Sequence, residues 1–431
     1  MKFLPLYRRR WALVYLPLLL LLGGLLVLAL FVWQPLPPQR VQIGTGPGQS
    51  SYLALARAYA MRLERMGIAV DIVAHDRPQS PLERLVRGSG GVDVTFAQGL
   101  YAPDFPQAQA LAVIGHEIVW VFARQDIDGL AQLRGKRIAA SVPRSSNRQA
   151  AELLLRHVGI EPHQVSFTDD VGEAAVAALD SGQVDAVVHV AGGDSQTASE
   201  LARLDRVGLL GVERAGLLAT REPRLRSIVM PQGVIELRSN LPPADLPTVV
   251  TLTHLLVRPD LHPALQRALL DVAGELHVMT GFLEDRGVYP TLLGSSFPVS
   301  PVAEKMLRGH RPWMERLLPF GVAQWAELVW YALLPICLLG AILLRRAPRY
   351  LDWRAEAHLQ HHYGELKFLE DELVRAQPRT PDQLQRHALR LNQLEREVMS
   401  IELPDRYADR WYTLREHLQQ VRQRLHALQH G

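Results

Sequence analysis

Cysteine is nearly absent from this sequence, and its scarcity limits the available chemistry. Cys337 is the only cysteine in 431 residues, and it lies inside an apolar run. Disulfides within the chain, cysteine-based zinc sites and a lipoprotein-type anchor cysteine are therefore excluded.

Two motifs typical of catalysis are also missing. The chain contains no Gly-x-x-x-x-Gly-Lys-Ser/Thr phosphate loop and no Gly-x-Ser-x-Gly nucleophile elbow. Gly44-x-Gly46-x-Gly48 departs from the dinucleotide fingerprint, because Gln49 stands where the third glycine is required. We therefore predict that the protein is not an enzyme and uses no cofactor.

Charge is nearly balanced, which argues against nucleic-acid binding. The 47 basic and 44 acidic residues give a formal net charge of +3. No Lys/Arg run is interleaved with exposed aromatic residues, as a nucleic-acid groove would need. We expect no nucleic-acid partner.

Two apolar runs predict membrane-spanning helices. Residues 11–33 carry no charged residue, are preceded by arginines at 8–10, and begin and end with tryptophan. A cleaved signal peptide is the alternative, but the run exceeds the usual apolar core and no small-x-small cleavage site follows. The second run, 325–344, is followed by Arg345, Arg346 and Arg349.

The flanking arginines predict the orientation. Because they precede the first run and follow the second, both termini are expected in the cytoplasm and the region between the runs outside. The predicted location is the bacterial inner (cytoplasmic) membrane, crossed twice, with membrane lipid as a partner. The predicted divisions are a cytoplasmic terminus 1–10, a span 11–33, a Pro-rich linker 34–39, an extracytoplasmic domain 40–324, a span 325–344 and a cytoplasmic helical domain 345–431.

The region between the spans contains one structural pattern twice. Strand, helix, strand, helix and strand are predicted at 41–43, 51–66, 70–74, 81–87 and 92–97, and again at 137–140, 146–158, 165–168, 173–180 and 184–190. Residues 89–94 also resemble 181–186. An α/β fold of two similar lobes follows, each with a mostly parallel sheet.

Long apolar strands are predicted to join the lobes. Residues 111–123 run from the first lobe to the second, and 227–236 with 248–256 return. Two such crossings form a hinge with a cleft, and ligands of parallel sheets lie outside the carboxyl ends of the strands.

Turns at those strand ends supply candidate ligand-binding residues. Residues 45–51 and 141–147 each lead from a strand into a helix, where amides and hydroxyls favour an anion. Helix capping is the alternative role for Ser50 and Ser145. The candidates from this pattern are Thr45, Gly46, Ser50, Arg77, Gln98, Arg144, Ser145, Ser146, Asn147 and Asp194.

A histidine group near the C-terminus is the one candidate metal site. His358, His361, His362 and Glu365 share helical spacing. A solvated, His-containing tail is the simpler interpretation, so we predict no metal. Leucines at helical spacing, broken near 378–381 and 404, predict a helical hairpin or a three-helix unit after residue 350.

Several segments together carry a family resemblance: Ile43-Gly44-Thr45-Gly46 with Ser50-x-Tyr52, Ser80 at a predicted helix start, residues 92–98, and 133–139 with the turn Ser145-Ser146-Asn147. They resemble the TAXI family, the solute-binding subunits of TRAP transporters. The resemblance covers roughly residues 40–290. It implies a type 2 periplasmic-binding-protein fold whose lobes close over a small organic acid, glutamate-like or dicarboxylate.

The resemblance adds residues and a partner. By position it places Tyr52 and Ser80 in the ligand site beside Thr45, Gly46 and Ser50, and it implies a TRAP-type permease in the same membrane. We therefore predict a membrane-tethered, extracytoplasmic protein that captures a small organic anion or amino acid by hinge closure. The alternatives are a sensor that signals through its spans to the helical tail, and a scaffold whose pocket no longer binds.

Overall fold

The computed structural model divides the chain into two compact units, which are described separately. It describes residues 16–33, 36–46, 51–75, 77, 80–87, 91–278, 283, 286–375, 381–400 and 408–430. One unit comprises residues 34–328, and the other comprises 1–33 together with 329–431. The first helix, α1 (Leu16–Trp33), belongs to the second unit.

The first lobe alternates strands and helices as predicted. Its elements are β1 (Arg40–Thr45), α2 (Ser51–Arg65), β2 (Ala69–Ala74), α3 (Ser80–Arg87) and β3 (Val94–Gln98). β1 lies between β2 and β3 and pairs with both in parallel. Helices cover this sheet, because a parallel sheet is stable only when its faces are buried.

The second lobe repeats the arrangement. After a 3-10 turn (Gly99–Asp104) come β4 (Gln109–Arg124), β5 (Arg137–Ala139), α4 (Ser146–His157), β6 (Ser166–Thr168), α5 (Glu173–Asp180) and β7 (Ala186–Ala191). β5 pairs in parallel with β6 and β7. The predicted duplication of the pattern is thus present.

Two long strands join the lobes. The remaining elements of this unit are α6 (Gln196–Ala202), β8 (Val207–Leu209), α7 (Ala215–Arg221), β9 (Leu225–Met230), β10 (Leu246–Val257), α8 (Pro263–Leu276), α9 (Pro301–Leu307), α10 (Trp313–Leu317) and α11 (Phe320–Leu328). The main sheet order is β2-β1-β3-β10-β4-β7-β5-β6, with β8 on β4 and β9 on β10. β4 and β10 are antiparallel partners at its centre, as a hinge pair requires.

One predicted strand is too long. The return strand expected over 227–236 is β9, which ends at Met230. Pro231, which has no amide to donate to a ladder, and Gly233, with φ +73°, turn the chain there.

The second unit ends in three helices. After a π-helical turn (Val329–Leu333) come α12 (Leu334–Arg375), α13 (Pro381–Ser400) and α14 (Ala408–His430). Their shared core is Leu366, Leu369, Leu373, Leu384, Leu391, Leu394, Val398, Leu414, Leu418, Val421 and Leu425. The predicted helical region is confirmed in its three-helix form.

Apolar helices in the described residues bear on the predicted spans. Within the described part of the chain, the helical stretch Phe320–Arg346, with mean hydropathy 2.1, is the one that is long and apolar enough to cross a membrane, and Leu16–Leu28 is a shorter apolar helix. Leu22 of α1 is buried, and a Cβ added at Gly340 of α12 would lie 3.0 Å from its Cδ1. The two apolar helices therefore pack against each other within this unit. Residues 11–15 of the first predicted span lie outside the described part.

Candidate ligand site between the lobes

Strand register brings polar side chains together at the hinge. β10 pairs with β3 on one side, where Thr253 faces Gln98, and with β4 on the other, where Thr251 faces Glu117. The β10–β4 ladder shifts register between Thr253 and His254. Such irregularities change the direction of side chains and are common near functional sites. Here the register shift lies next to Thr253.

Glu117 is the centre of this group. Its side chain is 7% exposed, and it accepts hydrogen bonds from Tyr52 Oη to Oε1 at 2.5 Å and from Gln98 Nε2 to Oε2 at 2.7 Å. Thr253 Oγ1 donates to Oε1 at 3.2 Å. The donors come from α2, β3 and β10, so the carboxylate ties three elements to β4. We call Tyr52, Gln98, Glu117 and Thr253 the hinge cluster.

Burial makes the charge of Glu117 costly. It raises the pKa of the Glu117 carboxyl above its ordinary value, although the hydrogen bonds from Tyr52, Gln98 and Thr253 act in the opposite direction. The negative charge of Asp194 adds to the increase. Burial and the neighbouring Glu117 likewise raise the pKa of the Tyr52 hydroxyl. The cluster would gain from a cation close to Glu117.

A second polar group lies at the start of α4. The Ser146 amide donates to Tyr101 Oη at 3.0 Å, and Tyr101 is 2% exposed. The Tyr101 hydroxyl thus accepts a hydrogen bond from one of the amides at the N-terminus of α4, and such amides can also bind an anion. Burial raises the pKa of that hydroxyl, and the charge of Glu117 contributes, so the two polar groups are electrostatically linked.

The predicted turn 145–147 has mainly structural contacts. Ser145 is the N-cap of α4, its Oγ accepting from the Arg148 amide at 3.2 Å. Asn147 Oδ1 accepts from the Val190 amide at 2.9 Å and joins α4 to β7. Ser145 thus caps α4, as its alternative role predicted, and the Ser146 amide faces the Tyr101 hydroxyl.

The predicted residues of the first lobe are partly brought together. Thr45 is 1% exposed, and its Oγ1 has no hydrogen-bond partner among the described residues. Gly46 is buried beside it, whereas Ser50 lies outside the described residues. Ser80 begins α3, and its amide donates a hydrogen bond to the Arg77 carbonyl oxygen at 3.1 Å. Arg77 itself is exposed.

Two predicted charged residues lie at the surface. The Arg144 guanidinium is 3.6 Å from Asp104, and 65% of its side chain is exposed. Asp194 is exposed and precedes α6, whose N-cap is Ser195. Arg144 therefore has an acidic partner of its own, while Asp194 contributes negative potential to the hinge cluster.

Two cavities in the described unit are lined by other residues. One, of about 560 Å³, is bordered by His116, Arg226, Leu252 and Tyr289, and another, of about 470 Å³, by Asp271, Met306 and Arg311. Neither contains a predicted ligand residue. Tyr52 instead contacts Glu117, and Tyr101 contacts the Ser146 amide.

Three residues of the site were missed by sequence reasoning: Tyr101, Glu117 and Thr253. Glu117 had a visible signal, a carboxylate inside an otherwise apolar strand candidate. Its partners are distant in sequence, so no local spacing could reveal them. Gln98 and Tyr52, both predicted, do contact it.

Each lobe has parallel strands, and β4 and β10 join the two lobes. This arrangement is the α/β fold of one class of protein, the periplasmic binding proteins. Within that class, residues 52–209 match the family described as NMT1/THI5 like. This is not the TAXI family, and the narrower TAXI assignment stays a prediction. No curated protein matches the chain.

Solved structures with similarity to the chain include a sulphonate-binding protein and an arginine-binding protein. The periplasmic aliphatic sulphonate binding protein SsuA from Escherichia coli is 18% identical, with 55% of this chain and 72% of that chain covered and a TM-score of 0.38. PhnD1 from Prochlorococcus marinus, in complex with methylphosphonate, is 12% identical, with coverage of 58% and 93% and a TM-score of 0.39. An ancestral arginine-binding protein bound to arginine is 16% identical, with coverage of 56% and 92% and a TM-score of 0.31.

Proposed function

We propose that the protein is a membrane-tethered, extracytoplasmic solute-binding protein that captures a small solute by closure of its two lobes. The observation that carries the proposal is the hinge cluster, a buried carboxylate with three donors at the strands shared by the lobes. Buried polar groups on a hinge are a typical ligand contact, since closure removes them from water. No covalent step is involved.

The polar groups favour an amino acid as the solute. The Ser146 amide at the start of α4 suits a carboxylate, and Glu117 suits an ammonium group. A dicarboxylate would bring a second negative charge toward Glu117 and Asp194, which is unfavourable in a buried site. Of the solutes predicted from the sequence, a zwitterion therefore fits better than a simple organic anion.

A ligand screen tests this function. The full chain in detergent is melted alone and with each of a panel of amino acids, dicarboxylates, sulfonates and phosphonates. A ligand at about 100 times its dissociation constant adds about 2.7 kcal/mol to the free energy of unfolding, so a clear rise in melting temperature is expected for an amino acid. No shift with any member of the panel would contradict the proposal.

Tyr101→Phe should tighten binding of the solute found in that screen. In the unliganded protein the Tyr101 hydroxyl competes for the Ser146 amide. Its removal leaves the amide free for the carboxylate, and a neutral hydrogen bond contributes about 1 kcal/mol, or about fivefold in affinity. Isothermal titration calorimetry measures the change.

Tyr59→Phe is the matched control, because Tyr59 is also fully buried in this unit and its hydroxyl has no partner among the described residues. Its affinity should equal that of the wild type. Weaker binding by Tyr101→Phe would place the tyrosine among the ligand contacts and overturn its role as a competitor.

Two membrane spans, 11–33 and 325–344, remain part of the proposal. The packing of Leu22 against Gly340 supports them, since small residues allow apolar helices to approach closely in a bilayer. With Cys337→Ser as background, a cysteine replacing exposed Ser239 should react with a membrane-impermeant maleimide in intact spheroplasts. A cysteine replacing exposed Ser400 should react only after lysis, and labelling of both before lysis would disprove the two-pass topology.

Delivery of the solute to a TRAP-type permease is the role we propose first, on the family resemblance. Sensing is the second candidate, and one observation favours it. α12 continues without interruption for 42 residues from the apolar segment into the three-helix region. A ligand-dependent change in maleimide reactivity at position 400 would support sensing, and an unchanged rate would support delivery.

A further inference from the structure

Three ligand-type side chains meet between two helices of the C-terminal region. A ring nitrogen of His362 and carboxylate oxygens of Glu365 and Glu397 all lie within 4.8 Å of one another. His362 and Glu365 are three residues apart on α12, so they share a face, and Glu397 reaches them from α13. The tertiary fold therefore adds a third group to the histidine-rich segment.

The charges of this group are unusual for its surroundings. Three other acidic residues of these helices pair with an arginine of a different helix, in Arg410–Glu356, Arg422–Glu395 and Arg424–Glu370. Glu365 instead has His361 Nε2 at 3.6 Å from its Oε1, and Glu397 accepts a hydrogen bond from Gln393 at 3.1 Å. Two carboxylates thus face each other across α12 and α13, with no arginine or lysine bridging either one among the described residues.

His362 supplies an independent indication. The residue is 8% exposed, and its Nδ1 is buried with no hydrogen-bond partner among the described residues. A buried polar atom without a partner costs about 1–3 kcal/mol, so such atoms are rare unless a ligand satisfies them. Leu366 and Val398 of the leucine core lie next to the group in sequence and hold both helices in place.

We propose that His362, Glu365 and Glu397 bind one divalent transition-metal ion, Zn²⁺ by ligand type. Zn²⁺ takes imidazole nitrogen and carboxylate oxygen at about 2.0–2.2 Å in a tetrahedral arrangement, which brings the donor atoms to roughly 3.4 Å apart. Rotation of the side chains closes the remaining distance. The fourth position is open to water or to His361.

Binding would neutralise the facing carboxylates and fasten α12 to α13. The site would therefore stabilise the helical region and make its packing depend on the metal. This inference is independent of the solute site between the lobes.

The test uses full-length protein without a polyhistidine tag, in detergent and in the Cys337→Ser background, so that the lone thiol cannot bind metal. After removal of metal by chelation, Zn²⁺ is titrated in competition with a fluorescent chelator. One equivalent should bind with saturation, and the melting temperature of the helical region, followed by far-UV circular dichroism, should rise.

The variants His362→Ala and Glu397→Gln should each weaken Zn²⁺ affinity by at least about 30-fold, as loss of a ligand requires. Glu397 is exposed, so Glu397→Gln preserves the fold even where His362→Ala disturbs it. His387→Ala is the matched control, because His387 also faces a single glutamate, Glu372, at 3.7 Å between the same two helices. Its affinity should be unchanged.

Three results would overturn the site. They are the absence of saturable Zn²⁺ binding, full affinity in both His362→Ala and Glu397→Gln, and equal loss in His387→Ala. The last result would mean that Zn²⁺ binds histidines in general rather than this group.

Discussion

Replacing Glu117 with alanine is expected to lower the free energy of unfolding of the two-lobed unit by about 3–5 kcal/mol. The substitution leaves Tyr52, Gln98 and Thr253 without their shared acceptor inside the protein. A buried donor without an acceptor costs free energy, because it has given up its hydrogen bond to water. Here α2, β3 and β10 would each hold one such donor. Urea unfolding of the full chain, followed by near-UV circular dichroism, measures the change.

Glu117→Gln separates hydrogen bonding from charge. Glutamine keeps an acceptor oxygen but no charge, so a smaller loss, about 1–2 kcal/mol, is expected. Glu64→Ala, on the exposed face of α2, is the control and should change stability by less than about 0.5 kcal/mol. Equal effects of Glu117→Ala and Glu64→Ala would show that the hinge cluster does not hold the lobes together.

The pH dependence of Glu117 has a definite sign. Because its folded-state pKa is raised, the native state holds a proton that the unfolded chain releases first, so stability falls as pH rises from about 4.5 through the folded pKa. Glu117→Gln should remove this slope. At pH values above the folded pKa the wild type keeps only the hydrogen bonds to the charged form.

Local patterns in the sequence predict much of this fold. Apolar periodicity, with glycines at 67 and 159 in the left-handed conformation just past helix ends, locates the helices and strands of both lobes. The apolar segment 111–123 is recognisable as a strand that leaves one lobe and enters the next. In each case the signal lies within one element, so a single sequence carries it.

The site depends on tertiary pairing, which local patterns do not contain. Glu117 receives its donors from positions 52, 98 and 253, and the register that aligns them is set by ladder pairing. Tyr101 contacts Ser146 from a 3-10 turn, and no pattern in the sequence indicates this contact. The anion site expected at residues 145–147 stays a prediction, and the sequence contained no sign that the Tyr101 hydroxyl accepts from the Ser146 amide there.

The metal group illustrates the same limit. His362 and Glu365 are visible as a helical pair, but two ligands do not distinguish a site from a solvated surface. Glu397 becomes relevant only when α13 folds back on α12. Prediction from sequence therefore favoured the simpler interpretation, and the metal site proposed above rests on the third group that helix packing adds.

Acid should destabilise the two-lobed unit through His254. The ring is 0% exposed, and both nitrogens are used: the Ser296 amide donates to Nε2 at 3.1 Å, so Nδ1 carries the proton and donates to the Leu252 carbonyl at 3.1 Å. Protonation of Nε2 would break the first bond and bury a charge. Burial accordingly lowers the pKa of His254 to about 4.

The expected pH window follows from that value. The unfolded-state pKa of histidine is about 6.5, and above that pH a histidine with a lowered folded-state pKa does not reduce stability. As pH falls from about 6.5 toward 4, the unfolded chain binds the proton more readily and stability is lost. The difference of about 2.5 units corresponds to about 3 kcal/mol for His254 alone. Burial also lowers the pKa of His189 and of His277 to about 4, so each steepens the same fall.

His254→Gln isolates this contribution. Glutamine supplies a donor and an acceptor but cannot become charged, so the variant starts less stable at pH 7 and loses less between pH 6.5 and 4. His163→Gln, at an exposed position, should follow the wild-type slope. Both proteins contain Glu117, so its opposite effect on the pH dependence of stability cancels when the slope of His254→Gln is compared with that of the wild type. Parallel slopes in the wild type and His254→Gln would mean that the ring is already protonated, or released from β10, before the lobes unfold.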